Sequence, residues 1–321
     1  LKSIEQLKKF YETELLSSLE VMEDKRKKLF RKFVITFVVY STSISLTVLI
    51  LLLANNAYTH FSFILLGVAL PLGLPFLICG TNSKSYVSGF KQLMIGKLVK
   101  FIDDSLIYNV EGGIDQPTFM LSKLIRTEPD KYYCDDLVKG TIGRTRIRFC
   151  ELHAYYESGS RKNKRKHLIF KGLFFVGSFN KHFSCQTFVL PDNAEKLLGR
   201  FGQKFQAMKS NRGQLIKMED PEFEKHFVVY GSDQIGARYV LSTSLMSRIV
   251  NFKSRTKYKI YLSFVDSKVL VAIPRKKNLF EPRLFRTMLG FEPIQEYFED
   301  LQLAIGIVED LNLNRRIWTK Q

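Results

Sequence analysis

Between Lys32 and Lys84 the chain has 51 consecutive residues without Asp, Glu, Lys or Arg, although a quarter of the whole sequence is charged. Random placement would give such a gap on the order of once in two million trials. Within it, residues 33–54 form a 22-residue stretch in which Leu, Ile, Val and Phe occupy 14 positions. That is long and apolar enough to cross a hydrocarbon core of about 30 Å as a helix. Residues 62–79 form a second, shorter candidate, in which Gly67, Pro71, Gly73 and Pro75 predict a kink. Only residues 55–61 separate the two, so the sequence predicts a transmembrane helical hairpin over 33–79. Ser41, Thr42, Ser43, Ser45 and Thr47 either let helices approach each other in lipid or bond back to their own helix. A buried soluble hairpin is disfavoured because soluble helices carry a charged face.

The flanks set the orientation. Residues 25–32 read KRKKLFRK, with Lys25, Arg26, Lys27, Lys28, Arg31 and Lys32 just before the first span, and Lys84, Lys91, Lys97 and Lys100 follow the second. Lys and Arg collect on the cytoplasmic side, so both termini are expected in the cytoplasm, with 55–61 outside. No cleavable signal peptide is expected, since the apolar stretch begins only after a charged, amphipathic segment of 32 residues. The expected domains are an amphipathic cytoplasmic helix over 1–32 with a basic end, the hairpin over 33–79, and a cytoplasmic domain over 80–321. Cys79, Cys134, Cys150 and Cys185, irregularly spaced, fit reduced thiols.

In the soluble parts, Ile4, Leu7, Tyr11, Leu15, Leu19 and Met22 recur at helical spacing, as do Tyr86, Phe90, Leu93, Met94, Leu98, Phe101 and Ile102. Strands are expected over 139–156, 167–176, 183–190, 214–219 and 225–230, and a hairpin joins 258–264 to 268–273 through Asp266 and Ser267. Helices are expected over 193–208, 244–252 and 293–311. Strands come in runs rather than alternating with helices, which predicts an α+β fold with mainly antiparallel sheet and flanking helices.

Basic residues exceed acidic ones by 49 to 31, a net charge of +18, which draws the chain to phosphates. Lys25, Arg26, Lys27, Lys28, Arg31 and Lys32 could hold anionic lipid or serve only as a topology signal. Arg144, Arg146 and Arg148 alternate with Thr145, Ile147 and Phe149, placing guanidinium groups on one strand face; they either grip a polyanion or form a solvated outer face. Arg161, Lys162, Lys164, Arg165 and Lys166 read as a soluble hairpin loop that could also meet a membrane surface. No nucleic-acid motif accompanies the charge, so nucleic acid is disfavoured as a partner. The expected partners are the lipid bilayer, anionic phospholipid head groups, and other membrane or cytoplasmic proteins.

Catalytic motifs are absent: no G-x-S-x-G, no P-loop, no H-E-x-x-H and no C-x-x-C. Glu151, Asp220, Glu222, Asp233 and Arg238 could form a polar cluster, either a buried ion-pair network or a ligand pocket. Cys150-x-x-His153 and His182-x-x-Cys185 contain zinc-type ligands, but residues three apart on a strand point to opposite faces, so neither metal nor cofactor is expected.

Four segments, DLVKGTIGRTRIRFCEL (136–152), KGLFFVGSFNKHF (171–183), DPEFEKHFVVYGSDQIGARYVLS (220–242) and LNLNRRIW (311–318), resemble a bacterial membrane-anchored family known as domain of unknown function 3137, sometimes labelled galanin-like. The resemblance implies an inner-membrane protein and supplies no activity or catalytic residue. The sequence is read as a membrane-anchored binding, scaffold or regulatory protein. The alternatives are an enzyme acting on a membrane-associated substrate and an anionic-lipid sensor.

Overall fold

The structure, a computed structural model, describes residues 2–53, 83–125, 127–160, 163–192 and 212–314. The turn expected at 55–61, the second span at 62–79 and the helix at 193–208 lie outside the described residues. The chain divides into two compact units: Ser3–Ile95 with Glu281–Gln295, and Leu1–Lys2 with Gly96–Phe280 and Glu296–Gln321.

The smaller unit is helical. Its α1 (Ile4–Phe10) starts at a capping box, in which Ser3 accepts from Gln6 N and the Gln6 side chain accepts from Ser3 N. A π-helical turn (Tyr11–Leu15) then leads without a break into α2 (Leu16–Leu53). Leu7, Leu15, Leu19 and Met22 of the amphipathic stripe are buried. Beyond Lys32 the character reverses, and Val34, Ile35, Phe37, Val38, Val39, Leu46 and Leu49 are exposed. Among the described residues this is the one helix long and apolar enough to cross a membrane, and its apolar window is unburied. Ser41, Thr42, Ser45 and Thr47 all bond back to carbonyls three or four residues earlier, the second of the two roles open to them. Helix α3 (residues 83–90) continues through a π-helical turn, Lys91–Ile95.

The larger unit is built on one nine-stranded sheet in the order β1-β2-β3-β4-β9-β8-β5-β7-β6, with antiparallel pairing throughout. Helix α4 (Gly96–Ile102) leads into β1 (Leu106–Asn109), then α5 (Gln116–Leu121), β2 (Lys131–Ile142), β3 (Thr145–Ser158) and β4 (Arg165–Ser178). The single strand expected over 139–156 is two strands. Gly143, at φ +59, supplies the left-handed turn that folds Ile142 back onto Thr145, a reversal hidden within an unbroken β-like pattern. After β5 (Thr187–Pro191) and β6 (Gln214–Ile216), the short helices α6 (Pro221–Glu224) and α7 (Gln234–Val240) flank β7 (Phe227–Gly231). Next come α8 (Thr243–Arg255), the hairpin β8 (Tyr261–Val265) and β9 (Lys268–Pro274), which turns through Asp266 and Ser267 as expected, and α9 (Phe291–Asp310).

One sheet face carries an aromatic core. Phe119 of α5 packs against Tyr132, Phe170 and Phe174, with Leu152, Phe188 and Leu270 in the same cluster. The fold is therefore α+β with a large antiparallel sheet, as the strand runs imply.

Cys134 and Cys150 are joined as a disulfide, a pairing that the expectation of reduced thiols did not include. Cys134 lies opposite Leu152, two residues along the same face from Cys150, and their Cα atoms are 6.4 Å apart. Irregular spacing in the sequence cannot show a diagonal cross-strand neighbour. Cys185 is free and buried.

Candidate functional site

Met22, Lys25, Lys28, Leu29 and Lys32 occur at three- and four-residue steps along α2 and so share one stripe of the helix. Facing them from α3 are Ser85, Tyr86 and Gly89, and together the eight residues line a cavity of about 300 Å³. A Cβ added at Gly89 would meet nothing within 4 Å. No acidic residue lines the cavity, and among the described residues Lys25, Lys28 and Lys32 have no hydrogen-bond or ion-pair partner. Tyr86 is only 5% exposed, yet its hydroxyl has no hydrogen-bond partner. Burial, reinforced by the Glu23 carboxylate and opposed by Arg26, pushes the phenol up to about 12, so at neutral pH it is a donor.

The basic run before the span thus has several roles. Arg26 does not join the cavity. It forks onto Glu23 at 2.7 and 2.9 Å and donates to Leu284 O at 3.0 Å, while Glu23 also accepts from Met288 N at 3.3 Å. The Arg26 guanidinium holds the Glu23 carboxyl below the usual carboxylate range. Lys27 and Arg31 are exposed.

The other basic residues are dispersed. Arg146 and Arg148 alternate with buried Ile147 and Phe149 as the spacing implies, whereas Arg144 sits in the turn with its N–H donated to Asn314 Oδ1. Arg148 is engaged by Thr118 Oγ1 at 3.2 Å and Asp115 at 3.8 Å. Lys164 pairs with Glu157 at 2.7 Å, and Arg165 and Lys166 open β4 in exposed positions. Arg161 and Lys162 lie outside the described residues.

The acids and Arg238 do not converge. Asp220 caps α6 through Glu222 N and Phe223 N, and Asp233 caps α7 through Ile235 N and Gly236 N. Glu222 pairs with Lys225 and His226, and Arg238 faces Glu219 at 4.0 Å in an exposed position. Glu151 is on β3, five strands from β7, or about 24 Å at ~4.8 Å per strand. There it is buried, accepting from Leu279 N at 2.8 Å and meeting His153 Nε2 at 2.8 Å. Its oxygens lie within 4.8 Å of those of Asp135 and Asp136, the one group among the described residues whose carboxylates are close enough to share a metal ion. Asp136 accepts from Tyr108 at 2.5 Å. Cys150 is committed to its disulfide and faces the aromatic core with Leu152, while His153 faces Glu151, so this pair does not converge on one ion.

Sequence reasoning found the lysines of the cavity but not Met22, Leu29, Ser85 and Gly89 as their companions. Tyr86 was visible only as one more apolar step of a helix.

The comparisons place one part of the chain. Residues 168–313 match the family described as protein of unknown function (DUF3137). The matched segment begins within β4 and ends after α9, leaving out the basic cavity and the Cys134–Cys150 disulfide. No curated protein matches the sequence. Among solved structures, the crystal structure of the mycobacterial trehalose monomycolate transport factor A, TtfA, is similar with a TM-score of 0.33 and 11% identity, over 66% of this chain and 97% of that one.

Proposed function

We propose that this chain is a multi-pass protein of the cytoplasmic membrane that presents its folded units on the inner surface as a binding or scaffold module. The supporting observation is a set of contacts within the helical unit. Tyr11 donates to Leu289 O and stacks edge-on against Phe291 at 5.5 Å, Arg26 holds Leu284 O, and Phe285 lies edge-on to Phe30 and Phe33 at 6.3 and 5.9 Å. A segment before the apolar stretch and one far after it can pack together only on one side of a membrane. The chain between them then crosses an even number of times, as a hairpin over 33–79 does. The basic run at 25–32 puts that side in the cytoplasm. A binding role is favoured over catalysis because Asp220 and Asp233 are occupied as helix caps and Glu151 lies far from both.

Trypsin applied to spheroplasts and to inside-out vesicles, with cleavage sites read by mass spectrometry, tests the topology. Lys9 and Arg286 are both exposed and should be cut only in inside-out vesicles. Cleavage of one from each side would refute the even crossing, and recovery of intact protein in a detergent-free soluble fraction would refute the anchor.

A further inference from the structure

The cavity between α2 and α3 has the chemistry of an anion site at the level where a helix enters lipid. Its lysines carry like charge with no protein counter-ion among the described residues, an arrangement that an anion would relieve. Lys25 to Lys32 covers about 10 Å of helix axis, enough to span the about 5–7 Å of headgroup layer on one side of a bilayer. Directly beyond Lys32 the same helix exposes Val34, Ile35, Phe37 and Val38, against which acyl chains can lie.

We propose that Lys25, Lys28 and Lys32 form a specific site for the phosphate of an anionic phospholipid headgroup. The site rests on the reading of the chain as membrane-anchored and gives that anchor a lipid preference. The phosphate oxygens take ammonium hydrogen bonds from the lysines, while Met22, Leu29 and Tyr86 supply apolar wall. Arg26 takes no part, being held by Glu23 and Leu284.

The test uses the full chain in mild detergent, with native mass spectrometry of bound lipid during titration by dioctanoyl phosphatidylglycerol, dioctanoyl phosphatidylcholine or inorganic phosphate. The expected result is one phosphatidylglycerol bound at least about tenfold more tightly than phosphatidylcholine, with about a fivefold loss in each of Lys28→Gln and Lys32→Gln. Lys27→Gln, which removes a charge outside the cavity, should leave the preference unchanged and serves as the control. Equal binding of the two lipids, wild-type affinity in both K28Q and K32Q, or an equal loss in K27Q would overturn the site. Saturation by inorganic phosphate at lower concentration than phosphatidylglycerol would overturn the lipid as its occupant. A failure confined to these titrations leaves the protease pattern intact, whereas failure of the anchor reading shows in that pattern first.

Discussion

Glu23 and Arg26, one helical turn apart on α2, form a two-bond ion pair that also grips two backbone groups of the 281–295 segment, Leu284 O and Met288 N. Both side chains are largely buried, at 3% and 11% exposure. The pair is therefore a clasp closing the helical unit across more than 250 residues of sequence.

Arg26→Ala should destabilise the helical unit by about 3 kcal/mol, because it leaves the Glu23 carboxylate buried without its counter-charge. Lys27→Ala, at an exposed position in the same basic run, should change stability by less than about 0.5 kcal/mol. Denaturant unfolding in detergent, followed by proteolysis of the 281–295 segment, distinguishes the two.

The same clasp gives a pH dependence. The Glu23 carboxyl is held below its ordinary value chiefly by the hydrogen bonds from Arg26. Its contribution is therefore fully present above the unfolded carboxylate value of about 4.3 and is lost as pH falls through the lower folded value. The melting temperature of the helical unit should hold between pH 7 and 5 and drop below about pH 4, with a shallower drop in Glu23→Gln.

Cys134 and Cys150 report which side of the membrane holds the sheet. On a cytoplasmic face they should be trapped as thiols by alkylation in intact cells and close into the disulfide after purification in air. A disulfide already present in the cells would put the sheet in an oxidising compartment. Closing a 16-residue separation should stabilise the sheet unit by about 3 kcal/mol over its reduced form.

Asp220→Ala and Asp233→Ala should each cost about 1 kcal/mol of stability in the sheet unit, the usual loss of a helix cap, and leave binding of a co-purifying partner unchanged. A variant of normal stability that loses binding to a co-purifying partner would instead make that acid part of a pocket.

Gly172→Ala should cost at least about 2 kcal/mol and lower soluble yield of the sheet unit. The residue sits at φ +150 in β4, and a Cβ there would lie 2.2 Å from Ile273 O on the neighbouring strand. Gly89→Ala, with nothing within 4 Å of its added methyl, should be tolerated.

Patterns of period two and 3.6 were enough to reveal the buried stripe of α1 and α2, the α8 and α9 helices, the β8–β9 hairpin and the outward arginines at 146 and 148. Each depends on residues close in sequence sharing a face. The Gly143 turn escaped because one left-handed residue does not interrupt hydrophobic alternation. The five-residue polar cluster dissolved because side chains alike in chemistry belong to strands far apart in the sheet.

By itself, the sequence determined that a charge-free apolar stretch follows a basic run, and that the remainder makes helices and antiparallel strands, since hydropathy and periodicity are local quantities. Only the tertiary structure decided that Glu23 and Arg26 clasp the 281–295 segment, that Cys134 meets Cys150, and that three lysines share a cavity with Tyr86. Those relationships depend on strand register and on helix pairing across long separations, and no count along the chain carries that information.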